Sequence, residues 1–327
     1  MKPRLPSRRR VFLWLLGIAF VVLAYVLWEP GSSTLARAPG FAYNGIWLSH
    51  GWLGDAPWFT RQGRDPGDFA PEKLTALGRR LTRLNVRDVF PHLCPADAQG
   101  RIPGWDATRA AALKAALPGC RIIPWIGGSA EKTVDLADRE WRRTFVASAG
   151  ALLGQPWVDG IHLNIEPLPS GNLDFLTLLE ELRGVARGKV LSVAAYPPPT
   201  LFHPHPEVHW DLAYTRAVAE QVDQFVPMLY DTALVNRKLY THLLAGWTRE
   251  LLATVEGRKI LWGVPAYDDA GSGYHHPEVE NICSAIPGII AGINATGFTG
   301  IPGLAIYSEW TLDENEVADI SRFVAKP

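Results

Sequence analysis

The stretch Asp159-Gly-Ile-His-Leu-Asn-Ile-Glu166, followed by Pro167, decides how the rest of the chain is read. Side chains alternate across a strand, so Ile161, Leu163 and Ile165 share an apolar face while His162, Asn164 and Glu166 share the other. A strand with both faces occupied in this way belongs inside an α/β fold, apolar toward helices and polar toward an interior. Such an interior can be a satisfied polar network. A carboxyl at the upper end of a strand is a different matter, because a buried ionisable group is costly unless it is paired or used.

Working outward, apolar runs recur at 45–50, 86–93, 121–127, 158–167, 190–196, 224–231, 260–267 and 303–310. Between them lie segments with apolar residues three and four apart, at 71–84, 106–117, 135–153, 173–186, 211–222, 236–255, 277–289 and 311–324. Thr311-Leu-Asp-Glu314 fits a capping box opening the last of these. Alternation of this kind implies parallel strands with crossover helices. An open doubly wound sheet is the alternative, but the first strand-to-helix turn has no phosphate-binding glycine fingerprint. The expectation is a (β/α)8 TIM barrel over 42–327 with its chemistry at the C-terminal ends of the strands.

The N-terminus reads differently. Basic residues in 1–10 precede an uncharged apolar run at 11–28, long enough to span a hydrocarbon core about 30 Å thick. The expectation is a transmembrane signal anchor with a cytoplasmic basic tail, a linker at 29–41, and the barrel on the extracytoplasmic side. A cleavable signal peptide ending at Ala36-Arg-Ala38 is the rival reading. The formal net charge of -1 and the lack of a long basic run argue against nucleic acid as partner. Cys94, Cys120 and Cys283 are too few and too scattered for a disulfide framework or a zinc site, so buried free thiols are expected. The loop His203-Pro-His-Pro-Glu-Val-His209 and the pair His275 and His276 carry metal-ligand residue types, but they also fit surface loops, and no metal or cofactor is expected.

The segment DGIHLNIE resembles the DxxDxDxE signature of glycoside hydrolase family 18, the chitinase-like barrels. It matches at Asp159 and Glu166 and carries His162 and Asn164 where that family has Asp. Ile126-Gly-Gly128 resembles the family's SxGG motif, Met228-Leu-Tyr-Asp231 matches MxYD, and Trp310 stands where the family ends its eighth strand. The resemblance implies substrate-assisted retaining hydrolysis of a β-linked N-acetylglucosamine glycan. In that chemistry the sugar's 2-acetamido oxygen attacks, and Glu166 protonates the leaving oxygen. Asn164 would hold the acetamido group, as in the similar Asn-x-Glu pair of family 85 endo-β-N-acetylglucosaminidases. Tyr230 and Asp231 would assist, with Met228 and Trp310 lining the sugar site. Trp47, Trp52 and Trp125 lie at or near strand tops, positions open both to sugar stacking and to core packing. Asp159 and His162 would support from below, His162 either through the Asn164 amide or simply as a satisfied core histidine. Because Asn164 removes a neighbouring carboxylate, the acid is expected to ionise early and the pH optimum to be acidic. A catalytically silent, lectin-like barrel is the competing reading, and a hydrolase pairing Glu166 with a second carboxylate such as Asp231 is another.

Overall fold

The computed structural model describes residues 8–268, 271 and 273–325. Its strands are β1 (Asn44–Leu48), β2 (Val86–Pro91), β3 (Arg121–Ile122), β4 (Trp125–Ser129), β5 (Gly160–Glu166), β6 (Val190–Ala195), β7 (Gln224–Pro227), β8 (Leu261–Pro265) and β9 (Gly303–Tyr307). All pair in parallel, as β3-β2-β1-β9-β8 and β4-β5-β6-β7. Parallel bridges join the two groups at both edges, His92 with Trp125 on one side and Phe225 with Ile260 and Met228 with Gly263 on the other. The ring is therefore closed. β3 and β4 are one stave interrupted at Ile123-Pro124, where proline supplies no N–H to a ladder. The open-sheet alternative is thereby excluded.

The helices are α1 (Arg8–Leu27), α2 (Ala56–Gln62), α3 (Pro71–Arg83), α4 (Ala107–Ala116), α5 (Arg139–Leu153), α6 (Leu173–Ala186), α7 (Leu212–Gln221), α8 (Arg237–Thr254), α9 (Ile282–Asn294) and α10 (Glu314–Ser321). Most begin at an Asp or Asn whose side chain accepts the otherwise unpaired N–H groups of the first turn, among them Asp106, Asp138, Asn172, Asp211, Asn236 and Asn281. The last two helices start later than expected. Asn281 caps α9, which runs on through Pro287, and the capping box of α10 is Asp313 with Glu316, not Thr311 with Glu314. The Thr311 hydroxyl instead donates to the Ala266 carbonyl. α2, in the loop after β1, was not anticipated.

Ile161, Leu163 and Ile165 pack with the helices in the outer core. Inside the ring a smaller apolar layer of Trp47, Phe90, Ile123, Val226, Leu261 and Ala305 sits beneath the mouth. Below and through it runs a polar chain. His162 Nδ1 meets Ser192 Oγ at 2.8 Å, Ser192 donates to Gln224, Gln224 to Asp88, and Asp88 accepts both Nε and Nη2 of Arg121. Burial lowers the His162 imidazole to about 3, so it is neutral in this chain.

The linker 29–41 packs along the barrel. Ser32 N–H donates to the Pro287 carbonyl, Ala36 N–H to Asn294 Oδ1, and Phe41 is fully buried beside Val324. The cysteines are free, but Cys283 is exposed, because it lies on the outward side of α9 beside Asp319, and Cys94 and Cys120 are half-buried.

Candidate active site

β5 delivers Asn164 and Glu166 to the mouth of the barrel, and the neighbouring stave comes unusually close to them. Gly127 pairs with Asn164 in the β4–β5 ladder at φ 129°, and a Cβ there would lie 1.9 Å from the Asn164 carbonyl oxygen. Only glycine allows that approach. Gly127 of Ile126-Gly-Gly128 thus brings backbone against the strand that carries Glu166.

Glu166 opens into a cavity of about 1000 Å³. Trp125, Asn164, Met228, Tyr230, Asp231 and Trp310 line the same cavity, together with Tyr196, Tyr267 and Tyr307. Glu166 is reached by solvent through the mouth, yet protein surrounds it on its flanks. That confinement raises its pKa to about 7, the Asp231 carboxylate adds to the rise, and a hydrogen bond from Asn164 opposes it. The sequence-based expectation compared Asn164 with an Asp in its place and left the rest of the environment equal; the structure supplies that environment. Asn164 does remove one like charge, but burial outweighs that loss and Asp231, from the turn after β7, supplies another. The Asn164 Oδ1 is buried with no protein partner, although its amide holds Glu166. A buried acceptor left open at the wall of a cavity is suited to a ligand N–H.

Asp231 adopts φ 61° and receives the Tyr267 hydroxyl. His275 stacks on Tyr267 with ring centroids 4.0 Å apart, and its Nδ1 lies 3.4 Å from Asp231 and 3.7 Å from Glu280. Burial works to lower the imidazole, but the two carboxylates win and raise it to about 9. Glu280 in turn accepts the N–H and hydroxyl of Thr232. When protonated, the ring would brace Asp231 from behind by charge. The donor atoms of Asp231, His275 and Glu280 lie within 4.8 Å of one another, a spacing that also admits a small cation. Tyr267 and Glu280 were not assigned roles from sequence, and His275 was noted there only as a metal-ligand residue type that also fits a surface loop. Tyr267 closed an apolar run, which was a usable signal; Glu280 was placed within a helix that in fact begins after it.

Several anticipated positions fall elsewhere. Trp47 is buried in the apolar layer against Phe90, His162 and Tyr307, below the cavity. Trp52 donates its indole N–H to Glu309 outside the cavity. Asp159 precedes β5 at the opposite end of the barrel, where it accepts from Lys114 at 2.6 Å and from the Ile122 N–H. Strand periodicity predicts which face a residue takes, not how far above the core it stands. His162 bonds Ser192, not the Asn164 amide, since Ser192 is its register partner on β6. The proline-rich loop after β6 is not simply surface: His203 and His209 are buried and bonded to each other at 2.9 Å, leaving His205 exposed beside Glu207.

No family model and no curated protein matches this sequence. Solved structures do. A chitinase from Chromobacterium violaceum ATCC 12472 superposes with a TM-score of 0.58 at 17% identity, covering 88% of this chain and 100% of that one. A chitinase from Rhizomucor miehei gives 0.55 at 13%, covering 86% and 99%. The spore cortex-lytic enzyme SleL of Bacillus cereus gives 0.57 at 11%, covering 87% and 75%. The fold is a chitinase-like barrel, with one apolar N-terminal helix that is a candidate membrane span.

Proposed function

Taking that barrel as the frame, we propose that this chain is a retaining glycoside hydrolase acting on glycans that contain β-linked N-acetylglucosamine, and that α1 holds it at a membrane. One observation carries the reading: a carboxyl with its pKa near 7 stands over a buried, unpartnered amide oxygen at the wall of one large cavity. An acid that must donate a proton near neutrality needs such a pKa.

In this reading Glu166 gives its proton to the glycosidic oxygen as the bond to the anomeric carbon breaks. The substrate's acetamido oxygen forms the new bond to that carbon, and Asn164 Oδ1 accepts the acetamido N–H, which grows more acidic as positive charge develops. The Tyr230 hydroxyl donates to the acetamido oxygen. Glu166, now a carboxylate, takes a proton from water as the water oxygen attacks the anomeric carbon and the acetamido group is released. His275, held cationic between Asp231 and Glu280, keeps Asp231 in place at the edge of the site. Met228, Trp125 and Trp310 offer apolar surface for sugar rings.

The membrane part rests on α1, whose span Arg9–Leu27 is long and apolar enough to cross a bilayer and has no residue buried in the barrel. The deciding experiment is to incubate the protein with chitin oligomers, peptidoglycan and N-glycans and to weigh the products. Cleavage that disappears in Glu166→Gln supports the hydrolase. Binding without cleavage in the unaltered protein would leave the lectin-like reading instead.

A further inference from the structure

Among the described residues, the hydrogen bonds from the barrel to α1 fall at its last turn. Asn236 donates to the Tyr25 hydroxyl at 2.7 Å, and Lys238 Nζ reaches the carbonyl oxygens of Tyr25, Val26 and Trp28 at 3.1, 3.0 and 2.6 Å. Trp28 packs edge-on against His242 at 5.2 Å. A lysine at the C-terminal carbonyls of a helix is favourably placed both for hydrogen bonding and for the helix dipole. These contacts all come from the start of α8, which follows the top of β7, the end of the barrel where Glu166 opens. From Trp28 the chain has little slack, because Gly31 lies against Pro287 and Ser32 and Ala36 are bonded along α9.

Tyr25 and Trp28 end the apolar run, at the level where such rings sit in the interface between lipid and water. Asn236 is bonded at that level. Val235 beside it is 77% exposed. Ala233, two residues earlier, lines the cavity and donates to the Tyr274 carbonyl, and Tyr274 is itself an exposed part of the cavity lining. A continuous path of adjacent residues therefore leads from the end of the membrane helix to the mouth of the cleft.

We propose that the rim formed by the loop after β7, with Val235 foremost, lies in the headgroup layer of the bilayer that α1 crosses, so that glycan enters the cleft along the membrane surface. The proposal rests on α1 remaining attached as an anchor and is independent of which group is the catalytic acid. The partner is the bilayer itself.

The test uses the full chain in phosphatidylcholine vesicles, with Cys94, Cys120 and Cys283 changed to Ser and a single environment-sensitive fluorophore on Val235→Cys. A second sample carries the fluorophore on Ala253→Cys at the other end of α8, about 25 Å away by helix rise. Lipid nitroxides placed at headgroup depth should quench the Val235 label several-fold more than the Ala253 label, while aqueous iodide should show the reverse order. Adding Asn236→Ala with Lys238→Ala should shrink that difference. Equal access of iodide to both labels would overturn the proposal, as would an intact mass showing that the vesicle-bound chain begins beyond Trp28. Because the readout is fluorescence, an inactive protein does not confuse the outcome.

Discussion

In the proposed mechanism Glu166 and Asn164 divide the work by chemistry that each substitution can separate. Gln at 166 is nearly isosteric with the acid but has no proton to give, so Glu166→Gln should lower kcat by about 10²- to 10⁴-fold with glycan affinity kept within several-fold. Titration of oligosaccharide binding beside turnover checks both halves. With the acid near 7, its protonated form is present at lower pH and is lost as pH rises through that value, so the alkaline limb of kcat/KM should fall near pH 7. Asn164→Asp adds a like charge two residues away and should move that limb upward. Asn164→Ala removes the open acceptor and should cost about 10²-fold in rate. If Asn164→Ala cleaves as fast as the parent protein, or a plain glucoside is cut as readily as its N-acetylated counterpart, substrate assistance is wrong and Glu166 with a second carboxylate would replace it.

At the scale of elements, the site depends on how closely staves approach and on what stands behind Asp231. Gly127→Ala would need a positive φ and would press a methyl into the Asn164 carbonyl, so it should destabilise the fold by about 2 kcal/mol or more and displace β5. Thermal unfolding together with activity would show both losses. His275 titrates higher in the fold, at about 9, than its ordinary 6.5. Its contribution to stability is therefore complete below pH 6.5 and lost as pH rises through 9, at up to about 1.4 kcal/mol per pH unit in that window. Urea unfolding across pH should show that slope, and His275→Gln should flatten it. A slope that survives His275→Gln would place the titrating group elsewhere. This ion cluster was not legible in the sequence, since Asp231 follows β7 while His275 and Glu280 follow β8, and they meet only when the chain is folded.

For the whole molecule, the question is where the barrel begins. The sequence suggested residue 42, because the count of eight strand-and-helix units leaves no strand dependent on residues 1–41. Phe41 is fully buried, its N–H donates to Phe323, and its carbonyl accepts from Ala325, so the segment closes the base of the barrel against the chain's other end. A fragment of residues 42–327 should fold but melt below one of residues 29–327. Phe41→Ala in the longer fragment should cost about 3–5 kcal/mol by urea unfolding. Equal midpoints for the two fragments would return 29–41 to the status of a loose tether.

What the sequence alone determined were the properties set by local period and composition. Alternation along 159–166 separated Ile161, Leu163 and Ile165 from His162, Asn164 and Glu166, and the order of apolar runs and amphipathic segments specified the barrel, because both follow from backbone geometry. An uncharged run before Glu29 likewise marked α1 without reference to anything distant. The tertiary structure decided depth and company. It placed Trp47 under the cavity and Trp52 outside it, set Asp159 at the far end of the barrel, and turned His162 toward Ser192. It also set the proton affinity of Glu166, which follows from the protein around it and from Asp231, 65 residues further along the chain. Periodicity is written in neighbouring residues, whereas dielectric surroundings and through-space charge are sums over segments that only folding brings together.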